Sequence, residues 1–399
     1  MRVESFFSKT TRTALKNEPP GEWIAELPDD CIRLSSGYPA PELVPDELLK
    51  EAVIRLFEEE RDLPLHYMGS PRVPKLREQI QERLACRGVY VLGEELLITS
   101  GACQAIDLIA RTFIDAESVV ALESPTYMEA LEIFQNYTKD FMSIPVDEQG
   151  LETNLFEEAL VDRKQKGLPL PKLLYVIPSF QNPTGTSLSL ERRRHVLELA
   201  SQYNFLIVED DAYGELGFNE APTSLKALDK EDRVLHVGSL SKVIAPGMRI
   251  GWVAGVSKWI KALAWFKKDL DHPFAQAVMA SFLENTDYEK RLKSLRESYQ
   301  SKCSALTSAI EEHFPEAVSW YVPEGGYFTW VKVPGVDTAK LLEKALIKGV
   351  SFVPGKYFFL NQADGMEYLR LSFSYANEEE IVEGIRKLGR VIKSELKNI

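Results

Sequence analysis

Basic charge is in short supply in this 399-residue chain: 47 Lys and Arg stand against 60 Asp and Glu, a formal charge of −13. Such an excess repels phosphate backbones and anionic lipid surfaces, so nucleic acid and membranes are not expected partners. No apolar run approaches the roughly 20 residues needed to span a bilayer. The opening MRVESFFSKTTRTALK lacks the continuous apolar core of a secretory signal, so a cytoplasmic protein is expected. Cysteine is scarce as well. Cys31, Cys86, Cys103 and Cys303 lie far apart without CxxC spacing, which points to reduced, packed thiols and away from a disulfide framework or a zinc site. The five histidines, His66, His195, His236, His272 and His313, form no metal-ligand pair and no HExxH. They read as structural, and no metal is expected.

What is present is an ordinary globular composition, 45% hydrophobic and 27% charged, in a chain longer than one core usually accommodates. Between Leu96 and Val256 short apolar runs alternate with longer amphipathic stretches, the pattern of strands joined by crossover helices. Strands are expected at 96–99, 118–122, 173–177, 205–208, 234–237 and 250–254. They mostly lack polar alternation, which suits a sheet buried on both faces. Ser189 can cap a helix with Glu191 in its first turn. Val196, Leu197, Leu199, Ala200 and Tyr203 form the apolar face of that helix, which ends near Asn204. After Ala275 the chain turns strongly helical and charged through Lys302, then closes with short strands around TWVKV, VSFVPG and EYLRLSFSY. An α/β fold follows: a large domain, 46–285, with a mostly parallel mixed sheet flanked by helices, and a smaller α+β domain assembled from both chain ends, 1–45 and 286–399.

The ends of the expected strands carry the chemistry, where open parallel sheets usually bind ligands. In VGSLSKVIAPGMRIGW, Lys242 follows two serines and precedes Arg249. A lysine that forms a Schiff base needs a lowered pKa and fixed geometry. A phosphorylated cofactor beside it needs hydroxyls, amides and a cation, which Ser239, Ser241 and Arg249 supply. TSGACQA puts Gly101 at a strand-to-helix junction, where free amides and the helix dipole favour an anion. Asp210, in VEDDAYGEL, can pair with a pyridinium nitrogen. Asn182, before the proline of QNPTG, and Tyr213 can both reach a ring hydroxyl. Each residue alone also suits a turn, a cap or a solvated edge; their joint occurrence at strand ends does not.

The segments LSSGYPAPELVP, LHYMGSPRVPKLRE, ESPTY, QNPTG, EDDAYGEL, SLSKVIAPGMRIGW, EGGYFTW and LRLSF make the chain resemble a class I/II aminotransferase of the type-I pyridoxal-phosphate fold. Within that family it is most similar to the aminoadipate and kynurenine aminotransferase branch, which also supplies the effector domain of MocR-type regulators. The resemblance covers nearly the whole chain and implies pyridoxal 5'-phosphate as cofactor. It implies that Lys242 forms the internal aldimine and shuttles the substrate's α-proton while the cofactor alternates with a pyridoxamine form. Asp210 would hold the ring nitrogen, Asn182 and Tyr213 the ring hydroxyl, and Tyr127 would stack on the ring. The phosphate would sit on the Gly101, Ala102 and Cys103 amides with Ser239, Ser241 and Arg249 around it. Tyr67 would arrive from a second subunit, so a homodimer is implied. Many relatives carry a hydroxyl residue at the Ala102 position and glutamine at Cys103, which leaves those two to act through their backbone.

Arg370 in LRLSF can grip an α-carboxylate through its planar fork. Asn182 would reach the same group, and Gly37 would let the backbone approach the substrate, although a purely conformational role fits Gly37 as well. Tyr327 stands where the family commonly has an aliphatic residue or methionine. No second arginine is assigned to a side-chain carboxylate, so dicarboxylic, aromatic and aliphatic amino donors stay open. The resulting expectation is an enzyme of amino-acid metabolism that moves an amino group between an L-amino acid and a 2-oxo acid. Two alternatives share its cofactor: a lyase or decarboxylase on the same scaffold, and a regulatory sensor without its DNA-binding domain. Only about 45 residues precede the large domain, and the charge is acidic, both of which speak against the sensor.

Overall fold

Successive side chains of a strand point to opposite faces, and the central sheet of this protein fills a separate core on each. The computed structural model describes residues 3–8, 11–12, 15, 27–28, 30–67, 69–219, 221–268 and 272–397; most of the N-terminal stretch 1–26 of the expected small domain lies outside them. The strands among the described residues are β1 (Ile32–Arg33), β2 (Leu96–Thr99), β3 (Val119–Ser124), β4 (Asp140–Asp147), β5 (Gly150–Leu151), β6 (Pro171–Val176), β7 (Leu206–Asp210), β8 (Val234–Ser239), β9 (Gly251–Ala254), β10 (Ser319–Trp320), β11 (Phe328–Lys332), β12 (Val350–Ser351), β13 (Val353–Pro354) and β14 (Tyr368–Ser372). Eight form the large sheet, in the order β2-β9-β8-β7-β6-β3-β4-β5. The run from β8 to β4 is parallel, and β9 is antiparallel to both of its neighbours. The sheet is therefore mixed and mostly parallel, as its apolar runs indicate.

On one face Val120, Leu122, Leu173, Tyr175 and Val208 meet Ile106 and Ile109 of the helix Ala102–Phe113, Phe134 of Met128–Gln135 and Ile260 of Ser257–Lys267. Their sequence neighbours Val119, Ala121, Leu174, Val176 and Ile207 face the other way, onto Phe156 and Leu160 of Thr153–Gln165 and Val196, Leu199 and Tyr203 of Leu190–Tyr203. Each such aliphatic or aromatic burial contributes about 1.5–3 kcal/mol, which is why these strands tolerate almost no polar residue before their ends. Helix Leu190–Tyr203 is bounded as its sequence signals: the Ser189 hydroxyl accepts from the Arg192 amide at 3.3 Å, and Asn204 turns the chain with a left-handed φ of 57°.

Three features depart from the sequence reading. β4 and β5 were not anticipated, because DFMSIPVD alternates polar and apolar residues and contains Pro145. It lies near the margin of the sheet, with Met142 and Ile144 turned inward. The helix Pro273–Glu284 is apolar and buried along most of its length and packs on Asp46–Glu60 and Arg72–Cys86, so the charged helical stretch begins only with Tyr288–His313. Among the thiols, Cys31 and Cys303 are buried but Cys86 is exposed.

The second sheet, in the order β10-β11-β14-β13, is antiparallel. β1 pairs in parallel with β12, which ties an N-terminal segment to the C-terminal part of the chain. The helix Glu378–Leu396 starts from a reciprocal cap in which the Asn377 side chain accepts from the Glu380 amide and Glu380 accepts from the Asn377 amide. Among the described residues no helix is long and apolar enough to cross a membrane.

Candidate active site

The parallel strands end on one side of the sheet, and there the apolar pattern stops. A cleft of about 890 Å³ opens at that edge. Of the cofactor- and substrate-binding residues expected from the sequence, all but Gly101 and Tyr67 line it.

Lys242 lies between β8 and β9 with its side chain mostly buried, and its Nζ donates to the Gly37 carbonyl at 2.8 Å. Burial, reinforced by the Arg370 guanidinium, lowers its pKa to about 8. About a tenth of the amine is therefore neutral at pH 7, far more than an unperturbed lysine offers. Its backbone carbonyl accepts from the Tyr327 hydroxyl at 2.6 Å.

Three consecutive acids mark the end of β7 and its exit. Asp210 shares the face of Val208 and Tyr175: its Oδ2 accepts from the Tyr175 hydroxyl at 2.7 Å, while its buried Oδ1 has no partner. Burial raises its pKa to about 6. Glu209 points to the opposite face, where it accepts from the Leu225 and Lys226 amides at 2.6 and 2.9 Å and lies 3.3 Å from His236 Nδ1. Asp211 pairs with Arg87. Of the three, only Asp210 presents an unsatisfied carboxylate oxygen to the cleft, the acceptor that a protonated ring nitrogen requires.

The anion end is built from β2 and the loop after β8. Gly101, with φ 82°, leads into the helix Ala102–Phe113, whose first amides lack intrahelical acceptors. A Cβ at Gly101 would lie 2.7 Å from Arg249 Nη2, so glycine is what admits the guanidinium. Arg249, itself at φ 53°, donates to the Ser100 carbonyl at 3.1 Å. The Ser239 and Ser241 hydroxyls are 2.9 Å apart. Amides, hydroxyls and one cation thus converge as a phosphate needs.

Arg370 reaches in from β14. Its Nη1 donates to Asn182 Oδ1 at 2.8 Å and its Nη2 to the Ser35 carbonyl at 2.9 Å; Nε is buried without a partner. Its guanidinium carbon sits 4.0 Å from the Phe328 ring centroid. Burial lowers its pKa to about 10, which leaves it cationic at neutral pH. Tyr213 is buried and packs edge-on against Tyr327, with centroids 5.4 Å apart; desolvation holds its phenol protonated.

The cleft also holds Glu129 and Glu132, which the sequence did not single out, and the Cys103 thiol contacts the first of them. Cys103 Sγ donates to Glu129 Oε2 at 2.9 Å and lies 3.6 Å from the Tyr127 hydroxyl. Burial and Glu129 push this thiol up to about 12, so it is neutral and a poor nucleophile. Burial raises the nearby Glu132 to about 7. Arg33 lines the cleft as well, a second arginine where none had been assigned. Tyr175 could have been found: a tyrosine in an otherwise apolar strand needs a partner for its hydroxyl. For Glu129 and Arg33 the sequence carries no such signal. Tyr67 lies away from the cleft of its own chain, 90% exposed.

Comparison with known proteins agrees with this arrangement. The family model described as aminotransferase class I and II matches residues 29–388. The aromatic-amino-acid aminotransferase 1 of Thermococcus litoralis is 39% identical over 92% of this chain and 89% of its own. The crystal structure of Pyrococcus horikoshii kynurenine aminotransferase, in complex with PMP, superposes with a TM-score of 0.90 at 37% identity, covering 99% of this chain and 98% of that one. The HTH-type transcriptional regulator YdfD of Bacillus subtilis, itself uncharacterised, is 33% identical over 92% of this chain and 75% of its own length. The fold is that of a type-I pyridoxal-phosphate enzyme. The chain belongs to the class I and II aminotransferases, and it is a pyridoxal-phosphate-dependent transaminase.

Proposed function

We propose that transamination runs in this cleft between an L-amino acid and a 2-oxo acid, with Lys242 as the lysine that carries the cofactor. The observation that carries the reading is the convergence of a desolvated lysine, an unpartnered Asp210 oxygen and an unpartnered Arg370 nitrogen on one cavity. Pyridoxal phosphate, when bound, supplies the electron sink that makes a substrate α-proton removable. Lys242 Nζ takes that proton and returns it on the other side of the exchange, a role its pKa of about 8 suits. Asp210 holds the ring nitrogen. Asn182 and Tyr213 meet the ring hydroxyl, and Tyr127 covers the ring face. The amides of Gly101, Ala102 and Cys103, with Ser239, Ser241 and Arg249, hold the phosphate.

Arg370 and Asn182 orient the substrate carboxylate, and Gly37 allows the substrate close to the backbone. Leu27, Tyr38, Phe328 and Tyr375 also line the cleft, an apolar surround that favours aromatic amino donors, in keeping with the names of the relatives above. Tyr67, exposed on its own chain, completes the site of a second copy, so the working unit is a homodimer. The division into 46–285 against both chain ends, 1–45 and 286–399, is supported by the pairing of β1 with β12. Cytoplasmic amino-acid metabolism is the setting. The reading is tested by adding amino acids singly to the holoenzyme and following its long-wavelength absorbance. Aromatic donors should bleach it faster than alanine does, and Lys242→Ala should not respond catalytically. Transamination that persists in Lys242→Ala would overturn the reading.

A further inference from the structure

The helix Tyr288–His313 runs behind the cleft without entering it, yet it joins the loop of Lys242 to the segment 42–43 on the substrate side. Arg291 Nε donates to the Val243 carbonyl at 3.1 Å, and its Nη2 donates to the Leu43 carbonyl at 2.7 Å. Two turns further on, the Tyr299 hydroxyl lies 3.1 Å from that of Tyr327. Tyr327 commits its only proton to the Lys242 carbonyl at 2.6 Å, so Tyr299 is the donor between them. Lys302, one turn beyond and buried, reaches Glu42 at 2.8 Å. These spacings keep the three side chains on one side of the helix. Tyr299 and Tyr327 are fully buried, so water does not compete for these bonds.

We infer that Tyr327, Tyr299 and Arg291 are positioning residues that brace the peptide carbonyls of Lys242 and Val243 against residues 42–43. The inference rests on the reading of Lys242 as the cofactor lysine. A lysine that exchanges its partner twice in every cycle must keep its backbone still while its side chain moves. Here the two carbonyls that define that backbone are held from outside the cleft. The brace also accounts for Tyr327, where an aliphatic residue or methionine would fill the space but offer no donor. Its ring packs on Tyr213, Tyr299 and Phe328, contacts a phenylalanine would keep, so against phenylalanine the hydroxyl is the difference.

Tyr327→Phe removes that hydroxyl and keeps the ring. For the holoenzyme we expect kcat to fall about tenfold with KM within about twofold, the signature of a contact that matters in the transition state. The pH midpoint of the absorbance of the Lys242-bound cofactor should move by about half a unit or more. Tyr299→Phe keeps the bond from Tyr327 to Lys242 and removes the hydroxyl that supports Tyr327 from the helix. It should give a smaller loss in the same direction, and it serves if Tyr327→Phe does not fold. The inference is overturned if folded variants keep kcat and the pH midpoint at wild-type values, or if kcat falls only in step with melting temperature while the midpoint stays. Lys242→Ala separates the two readings. If it transaminates, the assignment of the lysine fails; if it is inactive while Tyr327→Phe is unaltered, only the brace fails.

Discussion

Replacing Arg370 by lysine keeps the charge and removes the fork. The guanidinium already spends Nη1 on Asn182 and Nη2 on Ser35, and these bonds fix its plane. Nε has no partner, and each Nη carries a second proton, so two parallel donors remain for a carboxylate. An ammonium on a shorter reach presents one. The variant therefore forfeits about one charge-assisted hydrogen bond, about 1.5–3 kcal/mol, which is about 10-fold to about 150-fold in kcat/KM. A stopped-flow half-reaction, in which one amino acid bleaches the holoenzyme without any acceptor, isolates this step. The penalty should vanish for an amine of the same side chain that lacks the carboxylate, since that substrate never used the fork. An Arg370→Lys enzyme within about threefold of wild type on amino acids, or one equally impaired on both substrates, would refute the assignment.

Burial lowers the Lys242 pKa from 10.5 to about 8, so the neutral amine gains population as pH rises through about 8. Capture of pyridoxal phosphate by the cofactor-free protein should accelerate up to that pH and then level off; a midpoint near 10.5 would contradict the desolvation argument. If Tyr67 serves the neighbouring subunit, hybrid dimers of inactive Lys242→Ala and impaired Tyr67→Ala chains regain one intact site per dimer, and activity on mixing reports it. No recovery in a hybrid verified by sedimentation would place Tyr67 elsewhere. Ser189→Ala removes the cap of Leu190–Tyr203 and should cost about 1 kcal/mol in urea unfolding with unchanged kcat.

The large sheet was legible because its strands are buried on both faces and so read as uninterrupted apolar runs. β4 was not, since a strand near the margin keeps one polar face and tolerates Pro145. Lys242, Asp210, Asn182 and Arg370 were legible for the complementary reason: each interrupts or ends an apolar stretch at a place where packing alone would put a hydrophobe. Residues that reach the cleft from helices or irregular segments escape that logic. Glu129 sits in the first turn of Met128–Gln135, where acids are favoured on dipole grounds alone. The partnership of Tyr299 with Tyr327 depends on packing between a helix and the start of β11, which no local pattern encodes.

Glu209, Asp210 and Asp211 are three carboxylates in a row, and the pleat divides them: Asp210 goes to the cleft, while Glu209 and Asp211 flank His236 on the other side, Asp211 also meeting Arg87. Chemistry here is a matter of phase. One residue inserted in β7 ahead of them would hand the cleft a glutamate too long for its place and move Asp210 to the position beside Arg87, with the local composition hardly altered. What makes Asp210 fit for its task is the parity of its position, and the two cores of the sheet, each needing its own set of apolar side chains, are what hold that parity in step.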